Sequence, residues 1–249
     1  RRAIEPFSPP PSPRRPSWSA RRGRRNGPVA RAPIPIRAAG ALDALIAVAR
    51  RHDLWIFADE VYALYAFAGE HLFLRPRAPE RTFGVHSFSK AYGMAGNRCG
   101  YVIGPRAAME HVRKVSTHTF YSTPTAAQVA ATRALDGLGD AWAADAGRRY
   151  AEVGAEAAAR LAVATPEGGT FLFLNVAGAL DGRGTAGLLE DCADRGLLLA
   201  PGDRFGPYPR HVRLCFTAAP PEIVRAGVEV LAAVLQTAAT TTMRSPSGS

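Results

Sequence analysis

The chain contains almost no lysine. Of its 31 basic side chains only Lys90 and Lys114 are lysines, and every other cation is an arginine. Arginine stays protonated and delocalised, so it cannot act as an amine nucleophile, whereas a lysine with a lowered pKa can. Lys114 follows Arg113 in a stretch with helical spacing, which is typical of a surface charge. Lys90 is therefore the first candidate for amine chemistry.

Cysteines and long apolar runs are also scarce. The three cysteines, Cys99, Cys192 and Cys215, lie far apart, so the sequence predicts neither a disulfide framework nor a zinc site and favours packing roles. No stretch reaches the roughly 18 uninterrupted apolar residues of a membrane span, and the N-terminus lacks the apolar core of a secretion signal. With 47% hydrophobic residues in 249, the chain can bury a large core. We therefore expect a globular, cytoplasmic protein.

The positive charge is concentrated at the N-terminus. Residues 1–37 contain ten arginines and nine of the 20 prolines but only one acidic residue, Glu5, so they carry +9 of the net charge of +10. This much proline prevents regular helix or sheet and predicts a disordered arm. Such an arm could contact phosphate backbones without reading a base sequence, although a solvated or artefactual leader is the simpler interpretation. Because the rest of the chain is balanced, we predict no specific nucleic-acid partner and no membrane association.

The hydrophobic pattern predicts an α/β chain. The apolar run at 54–58 ends at Asp59-Glu60 and is typical of a central parallel strand, at whose carboxyl end functional groups lie. From residue 168 onward the elements are those of a smaller α+β lobe. The predicted helices cover 38–51, 106–117, 124–136, 141–162, 185–195 and 222–235, and the predicted strands cover 54–58, 82–86, 101–103, 170–175, a segment near 197 and 212–216.

Lys90 lies in a polar, glycine-rich loop that directly follows the predicted strand 82–86. The loop reads Ser87-Phe-Ser-Lys-Ala-Tyr-Gly-Met-Ala-Gly-Asn-Arg-Cys-Gly-Tyr101 and holds an amine, two serine hydroxyls, a guanidinium and three glycines. An amine forms an imine with an aldehyde, hydroxyls and arginine hold a phosphate, and glycines let the backbone approach it. The loop therefore indicates a ligand that carries both a carbonyl and a phosphate group.

This loop resembles the cofactor loop of the fold-type I, class I/II aminotransferases, S-x-S-K-x-x-G-x-x-G-x-R-x-G-Y, with every spacing intact. The resemblance implies that Lys90 forms a Schiff base with pyridoxal 5'-phosphate (PLP). It also implies that Ser87 and Arg98 bind the phosphate, with Ser89 making a weaker nearby contact. Once substrate displaces it, the freed lysine would move the proton between the substrate α-carbon and the cofactor. The implied architecture is the aspartate aminotransferase-like PLP-dependent transferase fold, an α/β fold.

Two further segments resemble the same family. Asp59-Glu-Val-Tyr62 resembles its D-E-x-Y, in which Asp59 would pair with the protonated pyridine nitrogen and Tyr62 would donate to the phenolic oxygen. Arg213, in the segment 211–216, resembles the family arginine that clamps the substrate carboxylate with a bidentate pair. Taken alone, these residues would be interpreted as a capping carboxylate, a packed ring and an outward strand cation.

Three other polar residues receive plainer interpretations. His86, directly before the lysine loop, is expected to pack in the core. Glu60 and His52 are expected to face solvent or to bond locally. None of them enters the predicted site.

The resemblance covers about residues 40–237, and the family's full-length enzymes are longer. Residues 1–37 contain none of the family's N-terminal cofactor motifs, so we expect a fragment, a wrong start or out-of-frame text there. The predicted organisation is a disordered arm (1–37), a partial large PLP-binding domain (38–140), a connecting helix (141–164), a small C-terminal α+β domain (165–237) and a flexible tail (238–249).

The resemblance implies a transaminase that moves an amino group from an amino acid to a 2-oxo acid, as a homodimer. The same residues also serve PLP-dependent lyases and cyclising enzymes, so the fold does not decide the reaction. A non-catalytic PLP-sensing domain and a scaffolding fragment also stay open. The sequence does not identify the amino donor.

Overall fold

A computed structural model describes the backbone of residues 39–244 and the side chains of residues 39–237. The predicted arm at 1–37 lies outside the described residues. The helices are α1 (Ala39–Arg51), α2 (Phe88–Ala91), α3 (Arg106–Thr119), α4 (Thr125–Arg133), α5 (Gly139–Arg160), α6 (Gly184–Ala193) and α7 (Pro221–Arg244). The strands are β1 (Ile56–Asp59), β2 (Thr82–Ser87), β3 (Gly100–Ile103), β4 (Phe171–Asn175), β5 (Ala200–Pro201) and β6 (His211–Cys215).

The predicted order of the strands and longer helices is confirmed, the short helix α2 lies within the predicted lysine loop, and three boundaries differ by three residues or more. Helix α4 ends at Arg133, before the predicted 136, because the chain turns at Gly137, whose φ is +97°. The strand expected near 197 is displaced to Ala200–Pro201. Helix α7 continues to Arg244, beyond the predicted end at 235. Among the described helices, none combines the length and the apolarity that a membrane span requires.

The first sheet has the order β1-β2-β3. β1 and β2 run parallel, with Ile56 opposite Thr82 and Asp59 opposite Val85, whereas β3 returns antiparallel to β2. Parallel neighbours bring their carboxyl ends to the same edge of the sheet, so the ends of β1 and β2 lie side by side.

The expectation that 54–58 forms a buried central strand is wrong for the described part of the chain. β1 begins at Ile56 and lies at the edge of the three-stranded sheet, with alternating burial. Helix α1 covers one face, where Ile46 packs with Ile56 and Ala58. On the other face, Phe57 is 70% exposed and stacks on the buried Phe83 with ring centroids 4.8 Å apart.

The second sheet, β4-β6-β5, is antiparallel and packs one face on helices α5, α6 and α7. Alternation along the strands decides what each face carries, because successive side chains point to opposite sides. The inward side chains are buried, as with Leu174 and Val212, while Phe173 and Arg213 belong to the opposite face. Arg213 is therefore directed away from the apolar core.

The segment after β1 contacts the segment before β4. Phe67 N–H donates to the carbonyl of Glu167 at 2.8 Å, and Gly169 N–H donates to the carbonyl of Tyr65 at 2.8 Å. These bonds connect the two sheets through backbone that follows the D-E-x-Y motif. They bring the motif within reach of the second sheet.

Candidate functional site

The candidate site begins at the shared carboxyl edge of β1 and β2. Asp59 is the last residue of β1 and Ser87 is the last residue of β2, and Asp59 pairs with Val85 across the two strands. The D-E-x-Y motif and the lysine loop therefore start from the same edge, as the strand assignment predicts. Asp59 is exposed, and its Oδ1 accepts a long bond from Val61 N–H at 3.4 Å. The capping contact expected of an isolated aspartate is thus present as well.

Lys90 is presented on a single capped turn. Ser87 Oγ accepts a hydrogen bond from Ser89 N–H at 3.2 Å and caps the N-terminus of α2. Phe88, only 3% exposed, anchors the turn. The Lys90 side chain is exposed, and among the described residues its amine makes no hydrogen bond or ion pair. The turn thus holds a free primary amine at the sheet edge.

The hydroxyl of Tyr65 holds this turn in place through backbone carbonyls. The sequence did not predict this role for Tyr65. Its hydroxyl donates to the carbonyls of Lys90 at 2.9 Å and Ala91 at 3.2 Å, and the residue is 1% exposed. Burial, together with the neighbouring Tyr150, raises the pKa of Tyr65 far above its ordinary value, which keeps the hydroxyl protonated as a donor. Nothing in the sequence distinguishes Tyr65 from any other core tyrosine, because its partners are backbone atoms.

Arg98 lies at the far end of the lysine loop in a left-handed conformation, with φ of +52°. Such a conformation is unusual for a residue with a side chain, and it turns the loop into β3. The guanidinium donates to the carbonyl of Ala95 at 2.9 Å. Arg98 therefore lies on the same loop as Ser87 and Lys90. Ser89 contributes only its backbone N–H to the described hydrogen bonds.

Tyr62 and Arg213 are brought together through one aromatic ring. Tyr62 meets Phe171 edge-on, with ring centroids 5.7 Å apart. The Arg213 guanidinium lies 4.9 Å from the centre of the Phe171 ring and 4.6 Å from that of Phe205. Its Nε is buried and has no hydrogen-bond partner among the described residues. A buried donor without an acceptor is costly, so this N–H is suited to a ligand oxygen.

Glu60 contradicts the expectation that it faces solvent. The residue is 6% exposed, and its carboxylate lies 3.3 Å from His86 Nε2 and 3.8 Å from His71 Nε2. His86 is half-buried and stacks on Tyr101, which agrees with the packed position predicted for it. The partners of Glu60 are distant in sequence, so no local pattern could have revealed this cluster.

Comparison with known proteins identifies the fold and the family. The chain matches the family model described as aminotransferase class I and II over residues 38–231. It is 33% identical over 185 residues to the arginine–pyruvate transaminase of Pseudomonas aeruginosa, covering 69% of this chain and 46% of that protein. It is 30% identical over 207 residues to the aspartate/prephenate aminotransferase of Thermus thermophilus, covering 78% and 51%. The chain thus spans about half the length of the curated relatives it matches.

Solved structures agree. A mutant aspartate aminotransferase of Thermus thermophilus, complexed with tryptophan, has a TM-score of 0.70 at 29% identity, covering 79% of this chain and 52% of that one. The aromatic aminotransferase of Pyrococcus horikoshii has the same fold, with a TM-score of 0.73 at 23% identity over 80% of this chain and 55% of that one. The predicted PLP-transferase fold, present here in part, is confirmed. Because sequence spacing, fold and family model agree, the chain belongs to the class I and II aminotransferases, a PLP-dependent family.

Proposed function

We propose that this chain is the cofactor- and substrate-binding part of a PLP-dependent transaminase, which moves an amino group from an amino acid to a 2-oxo acid. The observation that carries the proposal is the free amine of Lys90, held on a capped turn at the sheet edge where Asp59 also lies. The names of the relatives, all amino-group transferring enzymes, support the same reaction type.

The residues present fit PLP. Lys90 supplies an amine that would hold the aldehyde as a Schiff base, and Ser87 and Arg98 supply a hydroxyl and a guanidinium for the phosphate. Ser89 lies on the same turn and would be near the phosphate. When bound, PLP supplies an electron sink for the pair of electrons left when the α-proton of an amino acid is removed.

Asp59 and Tyr62 would act on the two ends of the cofactor ring. The Asp59 carboxylate would stabilise a protonated pyridine nitrogen, because an opposite charge within a few ångströms favours the charged form of a base. The Tyr62 hydroxyl would donate to the phenolic oxygen. Both residues come from the short segment that begins where β1 ends.

Lys90 would have a second task once its amine is released. An amine beside the substrate can accept the proton from the α-carbon and return it to the carbon on the other side of the amino nitrogen, which is general base and then general acid catalysis. The exposed position of Lys90 leaves the amine free to move between these two atoms. Tyr65 would meanwhile keep the backbone of the turn fixed.

Arg213 would hold the carboxylate that amino acids and 2-oxo acids share. Guanidinium offers a planar fork of donors that matches a carboxylate, and one such donor, Nε, has no partner in the described structure. The rings of Phe171 and Phe205 lie with their centres 4.9 Å and 4.6 Å from this guanidinium and would limit its movement. One arginine could therefore serve both halves of the reaction.

The remaining assignments are also proposals. A homodimer in the cytoplasm agrees with the family resemblance. Large-domain and small-domain boundaries at 38–140 and 165–237 are supported by two separate sheets with separate apolar clusters. The amino acid substrate stays open.

The chain offers an internal control for the test, because Lys114 is its other lysine. The full chain is incubated with PLP, reduced with borohydride, digested and analysed by mass spectrometry for a pyridoxyl group. We expect the label on Lys90, its loss in Lys90→Ala and its retention in Lys114→Ala. Labelled Lys90→Ala protein, or a wild-type chain labelled only at Lys114, would refute the proposed function.

The reaction type is then tested by products. An unreduced sample of the PLP-loaded protein is mixed with single amino acids, and the 2-oxo acid is measured for each. A lyase or cyclising enzyme would instead release a product shortened or closed at the side chain. Labelling without any product would favour the PLP-sensing alternative.

A further inference from the structure

A buried carboxylate and two imidazoles lie directly behind the edge that carries Asp59 and Lys90. The Glu60 cluster consists of Glu60, His71 and His86, whose side chains are 4%, 9% and 17% exposed. Glu60 Oε2 lies 3.3 Å from His86 Nε2, and Oε1 lies 3.8 Å from His71 Nε2. Oε1 also accepts the backbone N–H of Leu74 at 3.4 Å. A carboxylate is rarely buried without polar neighbours, and here these are His86, His71 and the backbone N–H of Leu74.

The backbone is shaped to leave room for this cluster. A Cβ at Gly84 would lie 3.1 Å from Glu60 Oε2 and 3.2 Å from His86 Nε2, closer than such atoms normally approach. The φ of Gly84 is not positive, so the effect of a side chain there is one of space rather than of conformation: Glu60 or His86 would have to shift. Gly84, in the middle of β2, thus leaves space for the contact between Glu60 and His86 near the end of that strand.

Aromatic rings pack around the imidazole of His86. His86 stacks on Tyr101 of β3, with ring centroids 4.7 Å apart, and the ring of Phe73 is tilted toward His86 with centroids 6.3 Å apart. Burial, and then the negative charge of Glu60, raise the pKa of Tyr101, so this neighbour stays neutral. The groups that face the carboxylate are therefore the two histidines, Tyr101 and one backbone N–H.

The position of the cluster gives it a role. Glu60 is the residue after Asp59, and His86 is the residue before Ser87. A contact between Glu60 and His86 therefore ties together the ends of two neighbouring strands, one carrying Asp59 and the other the lysine loop. The backbone bond from Glu60 N–H to the Val85 carbonyl, at 2.9 Å, runs beside it.

We propose that Glu60 and His86 are positioning residues, whose contact sets the placement of Asp59 relative to Lys90. Neither residue needs to touch the cofactor. The catalytic consequence rests on the proposed function, since it assumes that PLP lies between the two. The contact between Glu60 and His86 does not depend on that assumption.

The test compares four variants of the full chain: Glu60→Gln, His86→Asn, the double variant and Gly84→Ala. Their PLP dissociation constants are measured by absorbance titration. The matched control is Glu70→Gln, which removes an exposed carboxylate from the same connecting segment. Circular dichroism at the titration temperature gives the folded fraction of each variant, so that every dissociation constant refers to folded protein.

We expect Glu60→Gln and His86→Asn each to weaken PLP binding about tenfold, and the double variant to be no weaker than either single one. Gly84→Ala should also weaken binding, although it keeps both the Glu60 and the His86 side chains. The absorbance maximum of bound PLP should also shift, because it depends on the group facing the ring nitrogen. Glu70→Gln should stay within about twofold of wild type.

Two outcomes would overturn this inference. One is a set of dissociation constants and absorbance maxima equal to wild type once corrected for folded fraction, since the cluster would then be purely structural. The other is strict additivity in the double variant, since the two residues would then act separately. Failure of the proposed function is distinguishable, because in that case wild-type protein itself would carry no pyridoxyl label on Lys90.

Discussion

Replacing Tyr65 by phenylalanine removes a single hydroxyl and keeps the ring. That hydroxyl donates to the carbonyls of Lys90 and Ala91, and the ring packs edge-on against Tyr150 with centroids 5.1 Å apart. A hydrogen bond of this kind contributes about 0.5–1.5 kcal/mol net, and a carbonyl left without its donor adds to the loss. We therefore expect Tyr65→Phe to lower the free energy of unfolding by about 1–2 kcal/mol.

The assay is thermal unfolding of the full chain, followed by circular dichroism. For a protein of this size, each 1 kcal/mol corresponds to about 2–4 °C, so the midpoint should fall by roughly 2–8 °C. Tyr150→Phe is the matched control, because Tyr150 contacts the same ring but its hydroxyl makes no described hydrogen bond. Its change should stay within about 0.5 kcal/mol. Equal midpoints for the two variants would refute the idea that the Tyr65 hydroxyl anchors the lysine turn.

Two other predictions concern arginines. Arg213→Lys keeps the charge but loses the planar fork of donors. The amino acid concentration that half-saturates the spectral change of bound PLP should therefore rise about tenfold or more, while PLP binding stays unchanged. An unchanged half-saturating concentration would exclude the carboxylate role of Arg213. The hydrogen bond from Arg160 lowers the pKa of Glu229 below its ordinary 4.5, so this pair stabilises the fold above that pH and the contribution is lost as pH falls through the lowered value. Unfolding midpoints of wild type and Arg160→Met should therefore differ near neutral pH and converge on acidification, whereas a constant difference would contradict the assignment.

The lysine loop could be recognised from the sequence because the residues that carry its chemistry lie close together along the chain. Ser87, Lys90 and Arg98 lie within one loop, so their spacing alone indicates a phosphorylated carbonyl ligand. The strand ends that carry Asp59 and Ser87 also followed from periodicity, since parallel strands share an edge. The comparisons confirm the family and the fold, while the roles of the individual side chains stay predictions.

The parts that could not be predicted depend on tertiary contacts. Tyr65 acts on backbone carbonyls, and Glu60 meets histidines from two other segments, so neither leaves a local signature. The exposure of Phe57 could not be predicted from the sequence. A continuous apolar run shows that both faces of a strand are hydrophobic, but not which other residues cover each face. Helix α4 ends earlier than predicted because the backbone has a positive φ at Gly137. The helix-like composition around this glycine gave no sign of that turn.

The contacts of Arg213 with the rings of Phe171 and Phe205 have a thermodynamic consequence. A free arginine side chain loses about 2 kcal/mol of rotational entropy when it is immobilised by a ligand. Here the ring contacts restrict those rotations already in the folded protein. In the carboxylate-binding role proposed for Arg213, more of the attraction between guanidinium and carboxylate would then be left as affinity.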